Sequence, residues 1–140
     1  VRDPEKMRTK SKTTRLRKKL ERELDQLIAR YVKKRDQNRC RRCNTYYPDG
    51  SSGLHAAHIL SRVRKRTRWL GENIITLCFT CHLRWWHVHP IEAAAWIRKL
   101  LGDEWIDNLI VYSKETNKWT LADLQQERNK LEEIVSNPTL

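Results

Sequence analysis

The sequence of 140 residues contains no run of about 18 apolar residues, the length that a membrane-spanning helix requires. No signal-peptide pattern precedes its first charged residues, and it has no internal repeat beyond two cysteine pairs. Acidic residues are few, since 17 Asp and Glu are set against 29 Lys and Arg, and the net charge is +12. These features predict a cytoplasmic protein without membrane contacts whose partner is a polyanion, most often nucleic acid.

Cysteine is scarce but regularly spaced, because the four cysteines form two identical C-x2-C pairs. Each such turn presents two thiolates from one knuckle, and two knuckles supply the four ligands of a tetrahedral zinc ion. Two disulfides in a secreted protein are the alternative, but the spacing and the interleaved histidines favour metal in a reducing compartment. The sequence therefore predicts a structural zinc ion with four ligands: Cys40, Cys43, Cys78 and Cys81.

The chain divides into three parts by composition. Residues 1–38 combine an arm, predicted to be weakly ordered over residues 2–14, with a basic amphipathic helix. Residues 39–90 contain every cysteine and every histidine and form the predicted core. Residues 91–140 are predicted to be a helical extension.

Local signals predict the ends of the secondary-structure elements. Thr13 or Thr14 is expected to cap the first helix, Gly102 to end a later one, and Thr120 with Asp123 to form a capping box. In the core, two short strands are expected over 54–60 and 74–77, followed by a helix from position 81.

The core has the order knuckle, strand, histidine, loop, asparagine, strand, knuckle, histidine, with the histidines and asparagine at His58, Asn73 and His82. This order resembles the HNH (His-Me finger, ββα-metal) endonucleases. The resemblance implies a small α+β fold with a zinc-stapled, treble-clef-like core flanked by N- and C-terminal helices. It also implies that His58 is a general base, that Asn73 orients it, and that His82 binds a catalytic divalent cation.

One position departs from the pattern of that family, which carries Asp or His directly before the base, where this chain has Ala57. His55 is the first substitute ligand, His87 the second, and His89 a further alternative. Because His55 and Ala57 share one face of a strand and His58 lies on the other, a bulge or the strand's end must bring both histidines to one cation. Histidine ligands suit Mn²⁺ or another transition metal better than Mg²⁺.

Within that superfamily the chain looks like the phage recombination nucleases of the NinG (Rap) type. The matching stretches are HAAH at 55–58, TRWLGENI at 67–74, CFTC at 78–81 and KWTLADL at 118–124. In that alignment His55 takes an acidic position, which supports its role as a ligand. The resemblance implies action on branched DNA or recombination intermediates in a bacterial host cell.

The expected function is that of a metal-dependent DNA endonuclease. The alternative is a catalytically inactive, zinc-stapled DNA-binding module, which the alanine at position 57 favours. DNA is expected to be held mostly through its phosphates, because the loop between the strands carries five basic residues: Arg62, Arg64, Lys65, Arg66 and Arg68. A monomer would nick DNA and a homodimer could make paired cuts, and the sequence leaves both open.

Overall fold

The computed structural model describes residues 1–115 and 119–137. Within them lie four α-helices, one π-helix, a 3₁₀ turn and a two-stranded sheet, so the prediction of a small α+β protein is confirmed. In chain order the elements are α1 (Pro4–Arg35), β1 (Leu54–His58), the 3₁₀ turn (Gly71–Asn73), β2 (Ile74–Cys78), the π-helix (Thr80–Trp86), α2 (Pro90–Leu101), α3 (Asp103–Ser113) and α4 (Leu121–Ser136).

Helix α1 begins much earlier than the sequence predicted. Asp3 is its N-cap and accepts a hydrogen bond from the backbone N–H of Glu5 at 3.0 Å. Pro4 takes the first helical position, where its missing N–H costs no hydrogen bond. The predicted weakly ordered arm over residues 2–14 and the predicted cap at Thr13 or Thr14 are therefore wrong.

The two strands pair antiparallel in an unbroken one-to-one register from Leu54 opposite Cys78 to His58 opposite Ile74. Both predicted strands are present, but β1 ends at His58 because Asn73 takes up the backbone groups of Leu60. No bulge interrupts this ladder, so His55 and His58 stay on opposite faces of β1.

The sheet lies between two layers of helices, each with its own apolar core. On one side α1 packs on the sheet and α4 packs on α1, around eight buried residues: Leu20, Leu24, Ile28, Val32, Trp69, Ile74, Leu124 and Leu131. On the other side α2, α3 and the cysteine knuckles pack on it, with Ala57, Ile75, Leu77, Ile97, Ile106 and Leu109 among the buried residues. The spacing of four along α1 gives this helix its apolar stripe.

A buried carboxylate joins the end of α1 to the sheet. Asp36, the C-cap of α1, accepts hydrogen bonds from the backbone N–H of Thr76 at 3.0 Å and from Arg35 at 3.0 Å. Arg41, within the first cysteine knuckle, contacts the same carboxylate at 3.4 Å. Asp36 thereby fixes the position of the first knuckle relative to β2.

The later helices end as their sequences predict. Gly102 is the C-cap of α2, with a φ of 97° that other residues rarely adopt. Thr120 and Asp123 form the predicted capping box at the start of α4, with hydrogen bonds of 3.1 and 2.9 Å. Among the described residues no helix is both long and apolar enough to cross a bilayer.

Candidate functional site

The four cysteines of the two knuckles converge on one point. Their sulfur atoms all lie within 4.8 Å of one another, and none is in a disulfide. The Sγ atoms of Cys43 and Cys78 are 3.7 Å apart. Thiolates bound at about 2.3 Å to a tetrahedral ion have sulfurs about 3.8 Å apart, so the cluster has the dimensions of a four-cysteine metal site.

The surroundings act differently on the four thiols, because burial raises the pKa of Cys78 and raises that of Cys81 to about 12, whereas the pKa of Cys43 is lowered. The backbone N–H of Cys43 points at Cys40 Sγ at 3.5 Å, and that of Cys81 points at Cys78 Sγ at 3.4 Å. At Cys43, burial acts to raise the pKa, but hydrogen bonds from Thr45 outweigh it and lower the pKa to about 6. Three of the four sulfurs belong to buried residues, and that of Cys43 faces solvent.

At the other end of the hairpin, His58 has a defined tautomer. Its Nε2 lies 2.8 Å from the backbone carbonyl of Arg68. A carbonyl only accepts, so Nε2 carries the proton and Nδ1 is left as the basic nitrogen. Burial lowers the pKa of His58, and the cation of Arg62 lowers it further, although the Arg68 carbonyl opposes them.

Asn73 is fully buried and holds the loop that follows β1. Its Oδ1 accepts from the backbone N–H of Leu60 at 2.8 Å, and its Nδ2 donates to the carbonyls of Leu60 and Thr67, both at 3.1 Å. The sequence predicted that Asn73 orients His58, but the group in direct contact with the His58 ring is the carbonyl of Arg68. Asn73 is therefore connected to His58 through the loop backbone, by its hydrogen bond to Thr67, the residue before Arg68.

Three other histidines, His55, His82 and His87, form a row. His55 Nδ1 lies 2.9 Å from His82 Nδ1, and His82 Nε2 lies 3.0 Å from His87 Nε2. His82 and His87 meet because the segment from Thr80 is π-helical, and its five-residue hydrogen-bonding period brings residues five apart onto one face. Burial, with His87 and His55 nearby, lowers the pKa of His82 to about 4, so its ring is neutral at pH 7.

The histidine row can offer two ligands to one cation. Imidazole nitrogens bound at about 2.1 Å and at right angles are about 3.0 Å apart, close to the 2.9 Å between His55 and His82. His87 contacts the opposite nitrogen of His82, the position of a partner that fixes a ligand's tautomer. Over residues 1–115 and 119–137, the four cysteines are the one group of three or more His, Cys, Asp or Glu side chains whose ligand atoms converge on a single point.

A cavity of about 980 Å³ lies along β1 and brings His58, His82 and His87 to a common space. Asp25 and Ala29 of α1 line one side, and apolar residues of α2 and α3 line the other. The cavity is therefore shared by His58 and two members of the histidine row, His82 and His87.

The five basic residues of the loop after β1 all have partners within the protein. Arg68 forms two hydrogen bonds with Asp25, at 3.0 and 2.7 Å, and Arg62 contacts the same carboxylate at 2.6 Å. Lys65 pairs with Glu21 at 2.9 Å. The other two reach α3 and the residues just after it: Arg64 contacts Ser113 and Arg66 contacts Glu115.

Two functional features escaped the sequence analysis. The carbonyl of Arg68 holds His58, and the carboxylates of Glu21 and Asp25 pair with three of the five basic residues of the loop. A backbone carbonyl leaves no sequence signal. The two acidic residues do leave one, since they stand one helical turn apart beside the apolar stripe of α1.

Comparisons with protein-family models, with curated proteins and with solved structures find no significant match to this chain.

Proposed function

We propose that this protein is a metal-dependent DNA endonuclease in which His58 is the general base. The observation that carries the proposal is that His58, anchored through Nε2, lines the same cavity as His82. The order of motifs that resembles the HNH nucleases supports the same assignment. So does the net charge of +12, which favours a polyanionic substrate.

His58 would take a proton from the attacking water at Nδ1. Its lowered pKa keeps the ring neutral at pH 7, which is the state a base requires. General-base assistance of this kind contributes about a hundred- to ten-thousand-fold to the rate. The Arg68 carbonyl would hold the Nε2 proton and stabilise the imidazolium that forms.

Two metals are part of the proposal. Structural zinc would be held by the four cysteines, and the 3.7 Å spacing of Cys43 and Cys78 suits that ion. A catalytic Mn²⁺, Mg²⁺ or other divalent ion would be held by His55 and His82, with His87 fixing the orientation of His82. Such an ion supplies charge stabilisation to the phosphodiester in the transition state.

A DNA-binding module without activity is the second candidate, and Ala57 favours it. This residue is fully buried and lies opposite Ile75 in the sheet. A ligand at position 57 would point into the apolar core and away from the cavity. If His55 does not replace it, the chain would bind DNA around a structural zinc and cut nothing.

A plasmid-nicking assay with Mn²⁺ separates the two candidates. The wild-type protein is expected to relax supercoiled DNA, and His58→Ala to slow nicking by about a hundredfold or more. His89→Ala is the matched control, because His89 is an exposed histidine within residues 39–90 that does not line the cavity. The same preparations would be tested on linear, forked and four-way DNA, since the NinG resemblance points to branched substrates.

Each outcome decides something. Full activity in His58→Ala removes His58 as the base, whatever cuts the DNA. A wild-type protein that nicks nothing in Mn²⁺, Mg²⁺, Co²⁺, Ni²⁺ or Zn²⁺, yet retains its cysteine-bound zinc, is the binding module. Equal losses in His58→Ala and His89→Ala would indicate a general effect on the fold.

A further inference from the structure

Helix α1 carries a long basic face whose residues do not line the cavity. With 3.6 residues per turn, six exposed basic residues and the half-buried Lys33 fall within about 80° of the helix circumference, and no acidic residue of α1 falls in that sector. All six are exposed: Arg8, Lys12, Arg15, Lys19, Arg22 and Arg30. Over this sector the helix presents a single sign of charge to solvent.

This basic face differs from the basic loop in its partners. The loop cations Arg62, Lys65 and Arg68 are matched by carboxylates of α1 itself. In the part of the chain that the structure describes, no carboxylate lies within ion-pair distance of any of the six cations on the basic face. The basic face of α1 is therefore a continuous run of exposed cations without ion-pair partners in the described residues.

The position and length of the basic face suit duplex DNA. From Arg8 to Arg30 the helix rises about 33 Å at 1.5 Å per residue, close to one turn of B-form DNA at about 34 Å. Ala29, which lines the cavity of His58, lies about 20° around the helix axis from Arg22, at the edge of the basic face. A duplex held along this face would pass the mouth of the cavity.

We infer that the basic face of α1 binds the phosphate backbone of double-stranded DNA and so brings the duplex to the cavity that His58 lines. The inference rests on the proposed function in one respect, that the bound duplex is cut at the cavity. Its contacts are electrostatic and independent of sequence, so they set affinity and salt dependence. The loop cations, already paired within the protein, contribute less.

The experiment measures binding of a fluorescein-labelled duplex by anisotropy, without added divalent cation and with the structural zinc retained. The variant Arg15→Gln, Lys19→Gln, Arg22→Gln neutralises the centre of the face with residues of similar helix propensity. We expect affinity to fall by about tenfold or more, and the slope of log K against log salt to become shallower by about 2.7 for three lost phosphate contacts.

The control removes the same charge elsewhere. Lys99→Gln, Lys114→Gln and Lys130→Gln change three exposed cations on other parts of the surface. Equal weakening by both triple variants would overturn the inference, because net charge alone would then explain binding. Binding to phosphatidylserine vesicles but not to duplex, lost in the α1 variant, would also overturn it by assigning the face to a membrane. The binding measurement does not depend on cleavage. If the wild type failed to nick DNA, the proposed function would be wrong, but the DNA-binding inference would still be tested.

Discussion

The two clusters of potential metal ligands lie along the same hairpin but differ in how completely they are closed. The four cysteine sulfurs converge within 4.8 Å, and two of them accept backbone N–H groups of their own knuckles. The histidines form a row of pairwise contacts, and His58 stands apart from that row on the opposite face of β1. One cluster has four ligands for one ion, and the other has two.

This difference separates stability from chemistry. A closed tetrahedral site leaves no position for a substrate, so its ion can only hold the fold together. A site with two protein ligands leaves most of the coordination sphere for water and substrate, as a catalytic cation requires. We therefore expect cysteine substitutions to unfold the protein and histidine substitutions to leave it folded.

The largest effect is expected for Cys78→Ser, at a buried ligand position at the end of β2. Binding of structural zinc is worth about 10 to 16 kcal/mol in zinc-finger peptides, as much as the whole stability of a typical domain. The variant should contain no zinc by elemental analysis and show no cooperative thermal unfolding by circular dichroism.

The matching control for Cys78→Ser is His82→Ala, in the open cluster. It should retain one zinc per chain and a cooperative transition near that of the wild type. A Cys78→Ser protein that kept its zinc and its melting temperature would show that the cysteine cluster is not the structural site. Loss of zinc in both variants would remove the distinction between the two clusters.

An intermediate effect is expected for Asn73→Ala, which tests how the loop near His58 is held. The substitution leaves backbone groups of Leu60 and Thr67 without the partners they have now. The free energy of unfolding should fall by about 2 to 4 kcal/mol in denaturant titrations, with zinc content unchanged. Asn108→Ala, at an exposed position of α3, should change it by less than about 0.5 kcal/mol. An unchanged stability for Asn73→Ala would contradict the role of this amide.

Features that depend on neighbouring residues could be predicted from the sequence. The second strand, the end of α2 at Gly102 and the capping box of Thr120 and Asp123 are each specified by a few adjacent residues. The cysteine cluster was equally accessible, because two C-x2-C pairs have few ways to satisfy four thiolates.

Features that depend on distant or unusual contacts could not be predicted. Contact between His82 and His87 requires a π-helix, whose extra residue per turn leaves no mark in an ordinary hydrophobic period. Arg62 and Arg68 pair with Asp25, which lies 37 and 43 residues before them in the sequence. The basic N-terminal half of α1 has the composition of a disordered arm, although its residues are also good helix formers.

The smallest effect concerns the acid limb of the nicking rate in Arg62→Gln. Burial and the cations of Arg62 and Arg68 hold the pKa of His58 below 6.5, while Asp25 acts to raise it. Because the proposed base is the neutral ring, the proposal predicts activity above that lowered pKa and its loss as the pH falls through it. Removing the Arg62 cation, which also leaves Asp25 less neutralised, should move the limb to higher pH. The control is Arg64→Gln, which should leave the acid limb in place because Arg64 contacts Ser113. A shift of the limb to lower pH in Arg62→Gln would show that another group controls the rate.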